Sequence, residues 1–231
     1  MIQKLNWDSD FFNLNVAKWQ LQNDEQPSIE KANQYLQEFD LIYLASNQPI
    51  TSIDKTPLDI KTTYTINAAL LPESSLEILS KPFDRSIHSK EELLETVLES
   101  GKYSRFNLDK RIPKNKFEEL YTIWMNNGIE EKQGSKVYVI TNSSYKIDGF
   151  IQLKIVATEK VSIELIAVAT NARGKGVASQ LLKDATKITL HNNIPILEVV
   201  TQDQNIAATK LYLKNSFRLK KREYIYHLWK R

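Results

Sequence analysis

One segment restricts the fold of this chain more than any other: Ile166-Ala167-Val168-Ala169-Thr170-Asn171-Ala172-Arg173-Gly174-Lys175-Gly176-Val177-Ala178. An apolar strand stops, two glycines occupy the turn, and an amphipathic helix follows with Ala178, Leu181, Leu182, Ala185 and Ile188 on one stripe. A glycine turn that opens a helix leaves several backbone N–H groups unpaired at the positive end of the helix dipole. Such a turn binds phosphate oxygens, and glycine lets a ligand come close to the backbone. Arg173 and Lys175 would add full positive charges beside those amides. The spacing is not that of a Walker A loop, because no Ser or Thr follows the lysine. It also fails the dinucleotide fingerprint, which needs a third glycine and an acidic residue ending the next strand. Taken alone, the turn has a bland alternative, a strand-to-helix connection with solvated charges.

The surrounding pattern sets the fold class. Upstream, Val137–Thr141, Phe150–Val156 and Val161–Ala169 read as three strands of an antiparallel meander, the first two joined by the polar turn Asn142 to Asp148 with Gly149 at its end. Downstream come a helix over Val177–Leu190, a strand over Ile196–Thr201, a short helix over Ile206–Lys214 and two final strands. This order is α+β with a mixed, mostly antiparallel sheet flanked by helices. The first third reads as strands at Val16–Leu21, Asp40–Ala45 and Lys61–Ile66 around a helix at Ile29–Phe39. A connector with Pro72 and Pro82 spans Leu71 to Ser89. Ser89 with the acidic residues after it opens a helix that Gly101 ends, and another helix starts after Pro113, with Phe117, Leu120, Tyr121 and Trp124 on one face. The division falls near residue 85, giving regions 1–85 and 86–231.

Composition removes several function classes. With no cysteine among 231 residues, disulfides, thiolate zinc sites and a cysteine nucleophile are all excluded. Three separated histidines, His88, His191 and His227, make no histidine-rich metal site, so no metal is expected. The net charge of +3 is too small to imply nucleic acid, and the basic residues near the C-terminus lack the aromatic interleaving of a base-stacking surface. The N-terminus has no apolar signal core and no stretch is long enough to span a membrane, so the cytoplasm is the expected location.

Arg173, Gly176 and Ala178 fill the central motif of the GCN5-related N-acetyltransferase (GNAT) superfamily, which the sequence resembles. A second family signature follows one helix and one strand later: Asn205, Ala208 and Tyr212, then Phe217 where the family shows Gly-Phe and this chain has Ser216 in place of the glycine. The resemblance covers roughly Lys136 to the C-terminus. Further upstream, Trp7-Asp8-Ser9-Asp10-Phe11-Phe12-Asn13 and Ser104-Arg105-Phe106-Asn107-Leu108-Asp109 look like segments of the dTDP-4-amino-4,6-dideoxygalactose acetyltransferases. Asn13 replaces a glycine there, and Asn tolerates the left-handed conformation better than most residues. This second resemblance implies that the N-terminal region is a smaller, degenerate GNAT-like half.

The resemblance implies a function. Acetyl-CoA would be the cosubstrate, with its pyrophosphate on Arg173, Gly174, Lys175, Gly176, Val177 and Ala178. The main chain around Ile166 and Val168 would pair with the pantetheine arm. Tyr212 would protonate the departing thiolate, whereas spacing alone suits an aromatic residue packing a helix end. Asn205 caps its helix on either reading and would also touch the cofactor. For the general base, Glu164 shares the parity of Ile166 and Val168 along its strand and could take a proton through water; a charge on a half-exposed strand is the alternative. Arg105 and Asp109 would contact a nucleotide-sugar acceptor or else brace a loop as an ion pair. The implied reaction acetylates the amino group of a nucleotide-linked amino sugar in polysaccharide biosynthesis. Another amine (a small metabolite, an antibiotic or a protein N-terminus) and a non-catalytic CoA-binding module are the alternatives. A homodimer through the final strands follows by resemblance only.

Overall fold

Serine caps set the helix starts where the sequence placed them. Ser28 Oγ accepts the Lys31 N–H at 3.1 Å, and Ser89 Oγ accepts the Glu92 N–H at 3.2 Å. The computed structural model of the chain describes residues 1–22, 25–70, 77–157 and 159–231, so residues 71–76 of the expected connector lie outside them. In chain order the elements of the N-terminal part are β1 (Ile2–Lys4), α1 (Asn6–Phe12), β2 (Val16–Gln20), α2 (Ile29–Glu38), β3 (Leu41–Ser46) and β4 (Asp59–Asn67). Next come β5 (Lys81–Pro82), α3 (Lys90–Ser100), α4 (Arg105–Leu108), α5 (Lys114–Ile129), β6 (Ser135–Thr141), β7 (Ile147–Ala157) and β8 (Lys160–Val168). The chain closes with α6 (Val177–His191), β9 (Ile196–Gln202), α7 (Ile206–Lys214) and β10 (Arg218–Trp229). The order is α+β, as expected. No helix among the described residues is long and apolar enough to cross a membrane.

The chain packs as two units. One holds Met1–Thr62, Gln202–Gln204 and Lys221–Arg231; the other holds Thr63–Thr201 and Asn205–Lys220. The boundary read near residue 85 therefore falls inside the second unit. Within the first unit β2 pairs in parallel with β3, a pairing that needs a crossover, and α2 supplies it. All six residues of β3 are buried, as its unbroken apolar run requires. Trp19, Ile42, Leu44 and Tyr226 form this unit's core, with the Trp19 and Tyr35 rings edge to face at 5.0 Å. The Trp7 to Phe12 stretch forms α1, which ends at Asn13 in the left-handed region (φ 52, ψ 48).

Two closing strands were expected, but the chain makes one, β10, of 12 residues. The charged run Lys220-Lys221-Arg222-Glu223 suggests a turn, yet it contains no glycine or proline to reverse the chain. It stays extended, with Lys221 on Glu223 at 3.0 Å and Arg222 on Asp203 at 3.3 Å.

In the second unit the strand order is β4-β9-β8-β7-β6-β5; β8 pairs in parallel with β9, and the β5 to β8 pairings are antiparallel. Alternate β7 residues face opposite sides of this sheet. Ile151 and Leu153 join Leu181, Leu182, Ala185, Tyr212 and Phe217 in a core on the α6 and α7 side. Gln152 faces the α5 side and donates to the Trp124 carbonyl at 3.1 Å.

Ser216, standing where the resemblance has glycine, sits just past the end of α7 with φ at 67°, while the Phe217 N–H closes back on the Tyr212 carbonyl at 3.0 Å. An L-residue in this conformation costs about 1–2 kcal/mol, against about 0.4–1 kcal/mol of extra unfolded-state entropy for glycine. Ser216→Gly should therefore stabilise the chain by about 0.5–1 kcal/mol, raising Tm by about 1–4 °C in a thermal melt. A lowered Tm would show that the serine side chain matters more than its torsion.

Candidate functional site

The turn read from sequence forms between β8 and α6. Gly174 and Gly176 have φ of 78° and 84°. A Cβ on either would meet nothing within 4 Å, so the demand for glycine is torsional and the outer face of the turn is open. Gly176 caps α6 without any side-chain bond. Among the described residues, no protein acceptor takes the backbone N–H groups of Gly174 to Ser179. They converge at the positive end of a 15-residue helix, the arrangement that holds phosphate. Lys175 is exposed beside them. Arg173 is turned back: its Nε donates to the Val168 carbonyl at 3.2 Å, and its guanidinium pairs with Glu99 of α3 at 3.1 Å. It braces the end of β8 rather than adding a free charge to the turn.

Gly149 was read only as the end of a turn, but it also controls how α6 approaches the sheet. A Cβ there would lie 2.8 Å from Val177 Cγ1 and 3.1 Å from the Ala167 carbonyl. Its absence lets the first turn of α6 pack directly on β7.

Ahead of the turn, β8 is irregular on both edges. Toward β7, Ile166 pairs with Ile151 and Leu165 with Gln152, but Leu153 then pairs with Ile163. Glu164 is the extra residue of a β-bulge. Toward β9, the parallel pairing runs from Lys160 with Ile196 to Ile163 with Val199 and ends there. From Glu164 to Val168 the edge facing β9 forms no ladder, so main-chain groups around Ile166 are open to another extended chain, while the Val168 carbonyl is taken by Arg173. The bulge also corrects the parity argument. Ile166 packs on the α6 and α7 core, whereas Glu164 and its neighbour Leu165 both line a pocket together with Gln152 and Trp124 of the α5 side.

That pocket measures about 220 Å³ and gathers Trp124, Lys132, Ser135, Gln152, Lys154 and Glu164. One oxygen of Glu164, Oε2, accepts from Ser135 Oγ in a short bond and from Gln152 Nε2 at 2.9 Å. The other, Oε1, lies 3.7 Å from Lys154 Nζ, with the side chain 28% exposed. A carboxylate anchored through one oxygen and open at the other can accept a proton. Gln152 is 1% exposed and wedged under α5, where a Cβ on Gly128 would come within 2.6 Å of its Oε1. Ser135 and Gln152 escaped the sequence reading; the one signal was a polar residue at position 152 between the apolar residues Phe150-Ile151 and Leu153.

Tyr212 is 3% exposed, its ring 5.7 Å from Tyr64 and 5.8 Å from Phe217. Burial, and then the neighbouring Tyr64, push its phenol well above the ordinary tyrosine value, so it stays protonated at neutral pH. It belongs to the same core as Ile166, so Tyr212 and Glu164 reach β8 from opposite faces. Asn205 caps α7, its side chain accepting the Ala208 N–H at 3.2 Å. Arg105 opens α4 and Asp109 caps its end, and neither lines the pocket. The Asp109 carboxylate accepts the Arg111 N–H at 2.9 Å, and the Arg105 guanidinium lies 4.3 Å over the Phe106 ring. Their turn touches the pocket indirectly, through Phe106 edge to face on Trp124 at 6.2 Å. No group of three metal-ligating side chains occurs among the described residues.

Residues 103–217 match the family model described as Acetyltransferase (GNAT) family. The chain is 22% identical over 139 residues to the spore coat polysaccharide biosynthesis protein SpsD of Bacillus subtilis (strain 168), covering 60% of this chain and 47% of that protein. It is 38% identical over 71 residues to a streptothricin acetyltransferase of Escherichia coli, covering 31% of this chain and 41% of that protein. The chain thus spans less than half the length of these curated relatives. Among solved structures, a GCN5-related N-acetyltransferase from Sphaerobacter thermophilus shares the fold, with a TM-score of 0.60 at 16% identity over 83% of this chain and 60% of that one.

Proposed function

We propose that this chain, whose residues 103–217 match the GNAT acetyltransferase family model, moves the acetyl group of acetyl-CoA onto the amine of a nucleotide-linked amino sugar by direct attack on the thioester. The observation that carries this reading is the continuity of two features along β8. The unladdered edge from Glu164 to Val168 leads directly into a turn whose N–H groups are free. Four steps of a strand span about 13 Å, so an extended thioester arm lying on this edge, anchored by its pyrophosphate at Gly174 to Ala178, would end near Glu164.

Fixing the thioester in this way lowers the entropic part of the barrier. A backbone N–H near Ile166 would serve the developing oxyanion. The amine nitrogen attacks the thioester carbon and loses a proton to Glu164 Oε1, directly or through water. The C–S bond breaks, and the thiolate takes the Tyr212 phenol proton. Arg173 works in this scheme by holding the end of β8, and Asn205 by starting α7. An amino-sugar acceptor is supported by the upstream resemblance and by the polysaccharide role that the name of SpsD carries. The match to a streptothricin acetyltransferase favours one alternative, a small antibiotic amine.

Thiol release from acetyl-CoA across a panel of amines tests the proposal. The panel should hold nucleotide-linked 3-amino and 4-amino sugars, streptothricin, aminoglycosides, polyamines and short peptides. Turnover confined to a nucleotide sugar is expected. Turnover with streptothricin alone would replace the acceptor, and CoA binding without any turnover would point to a non-catalytic module.

A further inference from the structure

We infer that Tyr64 of β4 is a positioning residue for Tyr212, holding its phenol at the angle and distance from which it protonates the departing thiolate. This rests on the reading of Tyr212 as the acid. Three observations carry it.

The first is how little else aims the Tyr212 hydroxyl. The residue sits near the end of α7, a helix of nine residues, with its ring 5.7 Å from Tyr64 and 5.8 Å from Phe217. Among the described residues no hydrogen bond holds its hydroxyl. The place of the O–H is therefore set by where the ring and the helix stand.

The second is that Tyr64 reaches α7 at two points. Its ring lies against Tyr212, and its hydroxyl donates to Thr209 Oγ1 at 3.4 Å. Thr209 and Tyr212 are three residues apart, so they are neighbours on one face of the helix. Two contacts along that face fix the rotation of α7 about its axis as well as its distance from β4. A residue that only filled the core would need no hydroxyl there.

The third is the anchor. Tyr64 and Ile66 are both buried and point from β4 into the same core as Ile151, Leu153 and Leu197 of the sheet. In the strand order β4 lies next to β9, which pairs with β8. Tyr64 thus ties the acid to the sheet that carries the thioester edge. Position 64 also precedes residues 103–217, so the family match does not include it. A misplacement of about 1 Å in a reacting group costs up to about 10²-fold in rate.

The test is a double-mutant cycle on kcat with the full chain. Thiol release from acetyl-CoA is measured with a nucleotide-linked 4-amino sugar and, in parallel, with streptothricin. Tyr64→Phe and Thr209→Val each remove the bond between β4 and α7 at nearly constant volume, and Tyr64→Leu removes the ring as well. Thermal melts confirm folding. We expect the two milder variants to lower kcat about three- to tenfold and Tyr64→Leu about tenfold or more, with KM for acetyl-CoA unchanged. In a Tyr212→Phe background the same changes should alter kcat by less than about twofold, because no phenol is left to aim. If Tyr64→Leu does not fold, Tyr64→Phe and Thr209→Val decide. Unchanged kcat in both of these, an equal loss with and without the Tyr212 hydroxyl, or a loss confined to KM would overturn the role. Failure of the underlying reading looks different: the parent releases no thiol, or Tyr212→Phe alone leaves kcat unchanged, and the role falls with it.

Discussion

Replacing Tyr212 with phenylalanine should lower kcat by about 10²-fold or more while leaving KM for acetyl-CoA essentially unchanged, the loss expected for one general acid. The substitution isolates the hydroxyl. Phenylalanine keeps the ring that packs between Tyr64 and Phe217 in the α6 and α7 core, so folding and cofactor binding persist. Burial is the main cause of the raised ionisation of this phenol, with Tyr64 adding to it. The proton is therefore present through neutral and mildly alkaline pH, and the alkaline limb of kcat is not set by Tyr212 in that range. The same shift has a stability consequence. Above a pH of about 10 the unfolded chain loses this proton while the folded chain keeps it. The stabilisation is present in full below that pH and is lost as pH rises toward the folded value. Tyr212→Phe should thus unfold less steeply in alkali than the parent. A variant with unchanged kcat would leave Tyr212 as a packing residue and place the acid elsewhere.

The largest structural effect is expected from Asp184→Ala. Asp184 is fully buried on α6 and accepts the Ser80 N–H at 2.7 Å, the Leu79 N–H at 3.2 Å and Gln180 Nε2 at 2.8 Å. It ties the segment before β5 to the helix that carries the glycine turn. Alanine would leave two backbone donors without an acceptor, each costing about 1–3 kcal/mol when buried. A loss of about 3 kcal/mol corresponds to a Tm lower by about 6–12 °C for a chain of this size. Asp184→Asn retains one acceptor oxygen and should lose roughly half as much. If alanine leaves Tm unchanged, water must replace the carboxylate as acceptor.

In sequence, Asp184 lies beside Ala185 within an amphipathic helix and looks like any solvated charge. Its role depends on a segment about a hundred positions away, which no local pattern reveals. The same distinction runs through the candidate site. Ser89 and Asn205 were readable as caps because a cap bonds a backbone N–H three residues on. The continuous apolar run of β3 and the two glycines before α6 were readable for a similar reason: period and torsion are properties of neighbouring residues.

Glu164 could be chosen from its sequence, but its face could not. A bulge is decided by pairing with β7, and it moved Glu164 away from Ile166 and onto the α5 side. The end of β8 pairing with β9 at Ile163 and Val199 depends likewise on two strands more than thirty residues apart. Ser135, Gln152 and Trp124 came together around Glu164 only once register and helix packing were set. By itself, then, the sequence determined the α+β class, the starts of α2, α3, α5, α6 and α7 and the glycine turn, since local torsions and hydrophobic period suffice for those. The tertiary structure alone decided which side chains surround Glu164 and which strand edge stays open, because strand register depends on contacts between residues far apart in the chain.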